Sequence, residues 1–250
     1  MIFGLVGKSL QHSFSKHYFE KKWNHLQLPH SYQLFEFDNV DAIKKQLNNL
    51  PNLRGLNVTI PYKTSIIQYL DGISDEAKNI GAINCISIEN GKWTGHNTDA
   101  AAFYKTLPNP NFIKKILVLG NGGAAKAVIY YLLKNKNNIT QAARNIFNIA
   151  DTSFDCVKQI NWLELDSHSL LDYDLIINAT PLGMRPDDAA FPLLYTTANK
   201  HSLFYDLIYN PAETTFLLLA KIHGCKTKNG LEMLHLQADK SWEIWKKVCL

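Results

Sequence analysis

Residues Ile116 to Ala127, reading ILVLGNGGAAKA, constrain the fold more than any other stretch of this chain. An apolar run fit for a buried strand meets Gly120, and small residues follow at helical spacing. Gly120 permits a tight turn, while Ala124 and Ala127 let the following helix lie close to a sheet. A strand, a glycine turn and a helix in that order begin a parallel α/β sheet. Gly122 lets backbone amides approach a pyrophosphate at the helix N-terminus, which makes Gly120, Asn121, Gly122, Gly123 and Ala124 candidate dinucleotide contacts.

The next strand bears on which dinucleotide. A site preferring NAD usually offers a carboxylate about twenty residues on, whereas Thr140 to Asn145 reads TQAARN and holds none. Arg144 is a planar donor suited to a 2′-phosphate, so NADP is the expected cofactor.

Strand and helix patterns continue on both sides of this motif. The turn-rich Leu107-Pro108-Asn109-Pro110-Asn111 marks a boundary, dividing residues 1–103, completed by 231–250, from residues 104–230. Before it the patterns predict strands over 2–6, 31–37 and 55–60, helices over 15–23, 40–50 and 63–70, and a hairpin over 82–95 around Asn90-Gly91. After it they predict strands at 116–119, 138–142, 160–164, 173–178 and 202–208, with helices at 123–134, 146–158, 213–223 and 231–248. On the last helix Leu231, Leu234, Ala238, Trp242 and Trp245 form an apolar stripe able to pack back on the first domain. The expected fold is α/β: two three-layer domains, an N-terminal mostly parallel α/β domain and a Rossmann-type dinucleotide-binding domain.

Within the first domain, Gly55 to Lys63 reads GLNVTIPYK. Leu56, Val58 and Ile60 alternate, a proline follows, and two residues later comes a lysine. This places an amine at a strand's end, where active sites of α/β folds gather.

Composition excludes several classes. The 250 residues are 46% hydrophobic and carry a formal charge of +4, too mild to imply a nucleic-acid face. Cys85, Cys156, Cys225 and Cys249 form no metal-ligand spacing and read as free thiols in a reducing compartment. No long apolar run suggests a membrane span, and the start lacks a basic n-region, so a cytoplasmic protein without a metal is expected. No stripe marks a subunit interface, and a homodimer is compatible with the chain.

Other segments place small polar groups where strands should end. They are Ser13-x-Ser15, Gly81 to Asn84, Asn97-Thr98-Asp99 and Asn178-Ala179-Thr180 to Met184, followed by Asp206, Tyr209-Asn210-Pro211 with Thr214, Asn229-Gly230-Leu231, Met233-Leu234 and Gln237. Taken with GLNVTIPYK and the glycine loop, this order of motifs resembles the shikimate dehydrogenase family over nearly the whole chain. The resemblance implies reversible NADPH-dependent reduction of 3-dehydroshikimate to shikimate, a step in making aromatic amino acids. It implies that Lys63 and Asp99 are catalytic, with Lys63 beside the reacting oxygen and Asp99 orienting it. Which of the pair dominates proton transfer stays open. Ser13 and Ser15 would grip the substrate carboxylate, while Thr59, Asn84, Tyr209 and Gln237 would hold the ring and its hydroxyls. Thr180, Leu207 and Gly230 would join the glycine loop and Arg144 around the cofactor.

The chain departs from the family pattern in three places. Ala143-Arg144-Asn145 stands for the usual Asn-Arg-Thr, Ala100 to Ala102 replace common glycines, and Leu207 stands where methionine is frequent. Two rivals remain: a relative that also oxidises quinate, often with NAD, and a catalytically silent dinucleotide binder. Intact Lys63 and Asp99 count against the latter.

Overall fold

The computed structural model describes residues 1–10, 13–108, 110–144, 154, 156–185 and 191–249. The chain divides into two compact units, Met1–Thr98 with Gln237–Leu250, and Asp99–Leu236.

The first unit contains β1 (Ile2–Gly7), α1 (Phe14–His25), β2 (Ser31–Glu36), α2 (Val40–Leu47), β3 (Leu53–Val58), β4 (Gly72–Ile73), α3 (Asp75–Ile80), β5 (Cys85–Glu89) and β6 (Lys92–His96). Its six-stranded sheet runs β2-β1-β3-β5-β6-β4. β1 is parallel to β2 and β3, and β4 is parallel to β6, whereas β5 is antiparallel to both of its neighbours. Side-chain alternation sends Phe3 and Leu5 of β1 to one face and Val6 to the other. On the Val6 face, Ile43 and Leu47 of α2, together with Ile66 and with Ala77 of α3, cover the sheet. On the Phe3 face, Phe19 and Trp23 of α1 pack with Ala238, Trp242 and Trp245, so the late helix returns to this sheet. The Trp245 indole also donates to the Ile86 carbonyl at 2.9 Å, satisfying its one polar atom.

The second unit contains α4 (Asp99–Thr106), β7 (Lys115–Leu119), α5 (Gly123–Lys134), β8 (Asn138–Ala143), β9 (Lys158–Asn161), β10 (Leu175–Asn178), β11 (Leu203–Asp206), α6 (Thr215–Ile222) and β12 (Lys226–Lys228). The last helix, α7 (Leu231–Val248), begins here. The six strands run β12-β11-β10-β7-β8-β9, parallel at every pairing. Both faces are covered, as a parallel sheet requires. Ile116 and Val118 meet Phe103 of α4 and Val128 and Leu132 of α5, while Leu117 and Leu119 meet Phe216 and Leu217 of α6. Strand order reverses between β7 and β10, a topological switch point where such sheets bind ligands.

Local differences from expectation have local causes. The helix predicted over 63–70 is instead a turn followed by a 3₁₀ helix, Ser65–Tyr69, in a stretch where β-branched Thr64, Ile66 and Ile67 disfavour an α-helix. The strand predicted over 160–164 ends at Asn161, whose side chain accepts from Leu163 while Glu164 returns to the Asn161 amide in a capping box. A short α3 was not predicted. Ser74 caps it at one end, and Gly81 in the left-handed region closes the other. Most of the helix predicted over 146–158, and Asn145, lie outside the described residues.

Candidate active site

In the first unit the candidate substrate residues gather where strand ends meet. The parallel pair β1 and β3 ends side by side, with the Thr59 amide donating to the Val6 carbonyl at 2.9 Å. Because β5 is antiparallel to β3, it starts where β3 stops, and Cys85 pairs with Asn57. Asn84 is thereby brought beside the exit of β3, its carbonyl accepting from Val58 at 2.9 Å. The Lys63 carbonyl accepts from Ile83 at 2.6 Å, tying the lysine's backbone to the Gly81–Asn84 turn.

A buried polar chain runs through Asn57 and Asn84. Tyr32 donates to Asn57 Oδ1 at 2.8 Å, and Asn57 Nδ2 donates to Ser241 Oγ at 2.9 Å and to the Asn84 carbonyl at 3.2 Å. Asn84 Nδ2 reaches Thr98 Oγ1 at 2.8 Å and Gln237 Oε1 at 3.5 Å, and its Oδ1 accepts from the Thr98 amide at 2.7 Å. Burial pushes the Tyr32 phenol well up, with nearby Ser15 opposing that rise. Ser13 Oγ, at the start of α1, is buried and caps no amide, with no partner among the described residues. An orphaned buried hydroxyl is costly unless a ligand completes it.

In the second unit the site is built from main chain. Gly120 has φ +109°, and a Cβ there would meet Thr180 Cγ2 at 2.7 Å, so the glycine loop and the loop after β10 pack directly. Gln141 Nε2 holds the Gly120 carbonyl at 2.9 Å, and the Gly120 amide donates to Ala142 at 2.8 Å. Gly122 precedes α5 without a side-chain cap, no acidic residue occupies the first turn, and nothing lies within 4 Å of where its Cβ would be. Uncapped helix amides facing open space suit a pyrophosphate. Lys126, half-buried in α5, is held below the usual lysine range by burial. Arg144 is exposed just past β8. A Cβ on Gly230 would lie 2.1 Å from the Leu207 carbonyl oxygen, so only glycine allows this approach.

The structure thus brings Ser13, Ser15, Thr59, Lys63, Asn84 and Gln237 into one unit, and the glycine loop, Arg144, Thr180, Leu207, Tyr209 and Gly230 into the other. Asp99 is buried at the start of α4, directly after Thr98, which Asn84 pins. Sequence reasoning assigned no role to Tyr32, Asn57, Thr98, Ser241, Gln141, Asn178 or Asp206. Asn57, Thr98, Asn178 and Asp206 fall inside the motifs and were findable as buried polar residues at strand ends; Tyr32 and Ser241 had no such signal. Among the described residues there is no group of three or more His, Cys, Asp or Glu able to hold a metal, and no helix long and apolar enough to cross a membrane.

A glycine loop at the switch point of an all-parallel sheet, with a polar cluster at the strand ends of a mixed sheet, defines the class: an α/β dinucleotide-dependent oxidoreductase. Residues 5–86 match the shikimate dehydrogenase substrate binding domain. The chain is 39% identical to the NADP(+) shikimate dehydrogenase of Methanococcus vannielii, covering 98% of this chain and 91% of that one. The chain belongs to the shikimate dehydrogenase family. Its fold is similar to that of shikimate dehydrogenase 1 from Peptoclostridium difficile, with a TM-score of 0.86 and 34% identity over 98% of this chain and 91% of that one. It is also similar to the Thermus thermophilus enzyme solved with NADP(H) and shikimate, with a TM-score of 0.85 and 29% identity over 99% and 94% of the two chains.

Proposed function

We propose that this chain reduces 3-dehydroshikimate to shikimate reversibly with NADPH, using Lys63 and Asp99 for proton transfer. Family membership carries the reaction and the cofactor. The observation that best supports the site is the buried, unpartnered Ser13 hydroxyl at the start of α1, a donor awaiting an anionic group such as the substrate carboxylate. We assign the substrate to residues 1–103 with 231–250, and NADP to residues 104–230.

When bound, NADPH supplies hydride to the ring ketone. The Lys63 ammonium stabilises negative charge growing on the carbonyl oxygen and gives it a proton. In the reverse direction it takes that proton back, with Asp99 orienting the amine. Ser13 and Ser15 hold the carboxylate, and Thr59, Asn84, Tyr209 and Gln237 hold the ring hydroxyls. Such a polar set rejects analogues that would leave a buried group unpaired. On the cofactor side, Gly120 to Ala124 present amides to the pyrophosphate, Arg144 takes the 2′-phosphate, and Thr180, Leu207 and Gly230 line the nicotinamide end. A homodimer in the cytoplasm completes this reading.

The test is a purified-protein assay of shikimate and quinate against NADP⁺ and NAD⁺. Turnover fastest with shikimate and NADP⁺ is expected. Faster turnover of quinate would move the substrate, and no turnover with any pair would leave a silent binder. Light scattering in solution tests the dimer.

A further inference from the structure

The loops after β10 and β11 meet over one buried carboxylate. Asp206, the last residue of β11, has no exposed surface. Its Oδ1 accepts from Asn178 Nδ2 at 2.9 Å and from the Ile208 amide at 3.0 Å, and its Oδ2 accepts from Thr214 Oγ1 at 2.6 Å.

What lies behind each donor fixes its direction. Asn178 Oδ1 is already taken by the Thr180 amide at 3.0 Å and the Thr180 hydroxyl at 2.8 Å, so the amide nitrogen must face Asp206. That nitrogen also reaches the Leu182 carbonyl at 3.1 Å. The Thr214 oxygen accepts from the Leu217 amide as the cap of α6, which leaves its proton for Asp206. A backbone N–H can only donate. Three convergent donors need an acceptor-only group, which an ionised carboxylate is and an amide is not.

The segments held in this way carry the cofactor candidates. Asn178 orders Thr180 and Leu182 on one loop, while Ile208 and Thr214 bracket Tyr209 on the other. The Leu207 amide donates to the Asn178 carbonyl at 3.0 Å, joining the loops, and Gly230 sits against the Leu207 carbonyl. Having no exposed surface, Asp206 cannot touch a cofactor itself.

We propose that Asp206 is a positioning residue whose buried carboxylate sets the Asn178–Leu182 and Leu207–Thr214 loops in the geometry that takes NADP(H). The inference rests on the reading of Thr180, Leu207 and Gly230 as cofactor residues, so the experiment separates the two. Amide hydrogen exchange of the full-length wild type, with and without NADP⁺, asks whether these loops meet the cofactor. Calorimetric NADP⁺ affinity and thermal unfolding are then compared for wild type, D206N, T214V and T214S.

Protection of both loops is expected, with NADP⁺ affinity weakened about tenfold or more in D206N and T214V, as for a hydrogen bond to a charged group. T214S, which keeps the hydroxyl, should bind NADP⁺ within about twofold of wild type. Protected wild-type loops with folded D206N and T214V binding NADP⁺ normally, whatever their thermal stability, overturn the positioning role alone. If D206N does not fold, the threonine pair decides. Weak binding by T214V but not T214S supports the role, and equal behaviour of the two overturns it. Unprotected wild-type loops overturn the cofactor reading and the role with it.

Discussion

The two units prepare for their ligands in opposite ways. In the first, side chains are joined to one another, from Tyr32 and Asn57 to Thr98 and the candidate contacts Asn84 and Gln237. In the second, the glycine loop offers main chain, and the buried polar residues Gln141, Asn178 and Asp206 hold backbone or each other. Topology is the cause. A mixed sheet puts the start of β5 beside the ends of β1 and β3, so side chains from strands of both directions converge. In the all-parallel sheet, the loop after β7 leads directly into the amides at the start of α5. Wired side chains can discriminate among substrates, whereas backbone amides serve any pyrophosphate, so in the proposed reading the choice of dinucleotide falls to Arg144.

The largest effect should come from Lys63→Ala. A positioned acid or base contributes about 10²- to 10⁴-fold, so kcat should fall by that much. NADP⁺ affinity, measured by calorimetry, should stay within about twofold if the two halves are independent. Turnover within about threefold of wild type would remove the lysine from the chemistry.

The second unit carries a pH signature that the first unit's uncharged network lacks. Burial raises Asp206 from 3.8 to about 6, against three hydrogen bonds that lower it. With the folded value above the unfolded one, the folded state binds the proton more tightly. Stability from this group is therefore highest below about pH 4 and is lost as pH rises to about 6, a span worth about 3 kcal/mol. Tyr195 is the titratable neighbour that feels this charge, its phenol raised by burial first and by Asp206 second. Denaturant unfolding of wild type and D206N at several pH values isolates the slope. A stability difference that does not change between pH 4 and 7 would mean that Asp206 titrates normally.

Arg144→Ala should act on the cofactor alone. Loss of a charge-assisted contact at an exposed position should raise the NADP⁺ KM about tenfold and leave NAD⁺ nearly unchanged. Equal changes for both dinucleotides would take the 2′-phosphate away from Arg144.

Legibility in the sequence followed the same division. The glycine loop was readable because an apolar run, a turn and a helix are contiguous at Ile116–Ala127, and α5 spans the predicted 123–134. The long α7 spans the predicted 231–248, and Ala238, Trp242 and Trp245 of its stripe lie in the first unit's core, whereas Leu231 is exposed and both it and Leu234 fall in the second unit. The wiring of the first unit was not readable, because Asn57 and Ser241 are 184 positions apart and are joined only by the return of α7. Tyr32 looked like any inward residue of an alternating strand. Asp206 lay inside a motif, but its three donors come from different loops, and nothing local announces that convergence.

Tyr32→Phe should have the smallest effect and tests the wiring most directly. Asn57 Nδ2 donates to Ser241 and to the Asn84 carbonyl, so Asn57 Oδ1 must face Tyr32 and accept its proton. This hydrogen bond lies wholly inside the first unit, between β2 and β3. Removing the hydroxyl strands a buried acceptor on Asn57. Unfolding free energy should therefore drop by about 1–2 kcal/mol, while shikimate KM moves less than about threefold because the lost bond lies behind the candidate contacts and not among them. NADP⁺ KM should not move at all. An NADP⁺ effect larger than the shikimate effect would show that the first unit's polar chain serves both ligands, and the contrast between the units would fail.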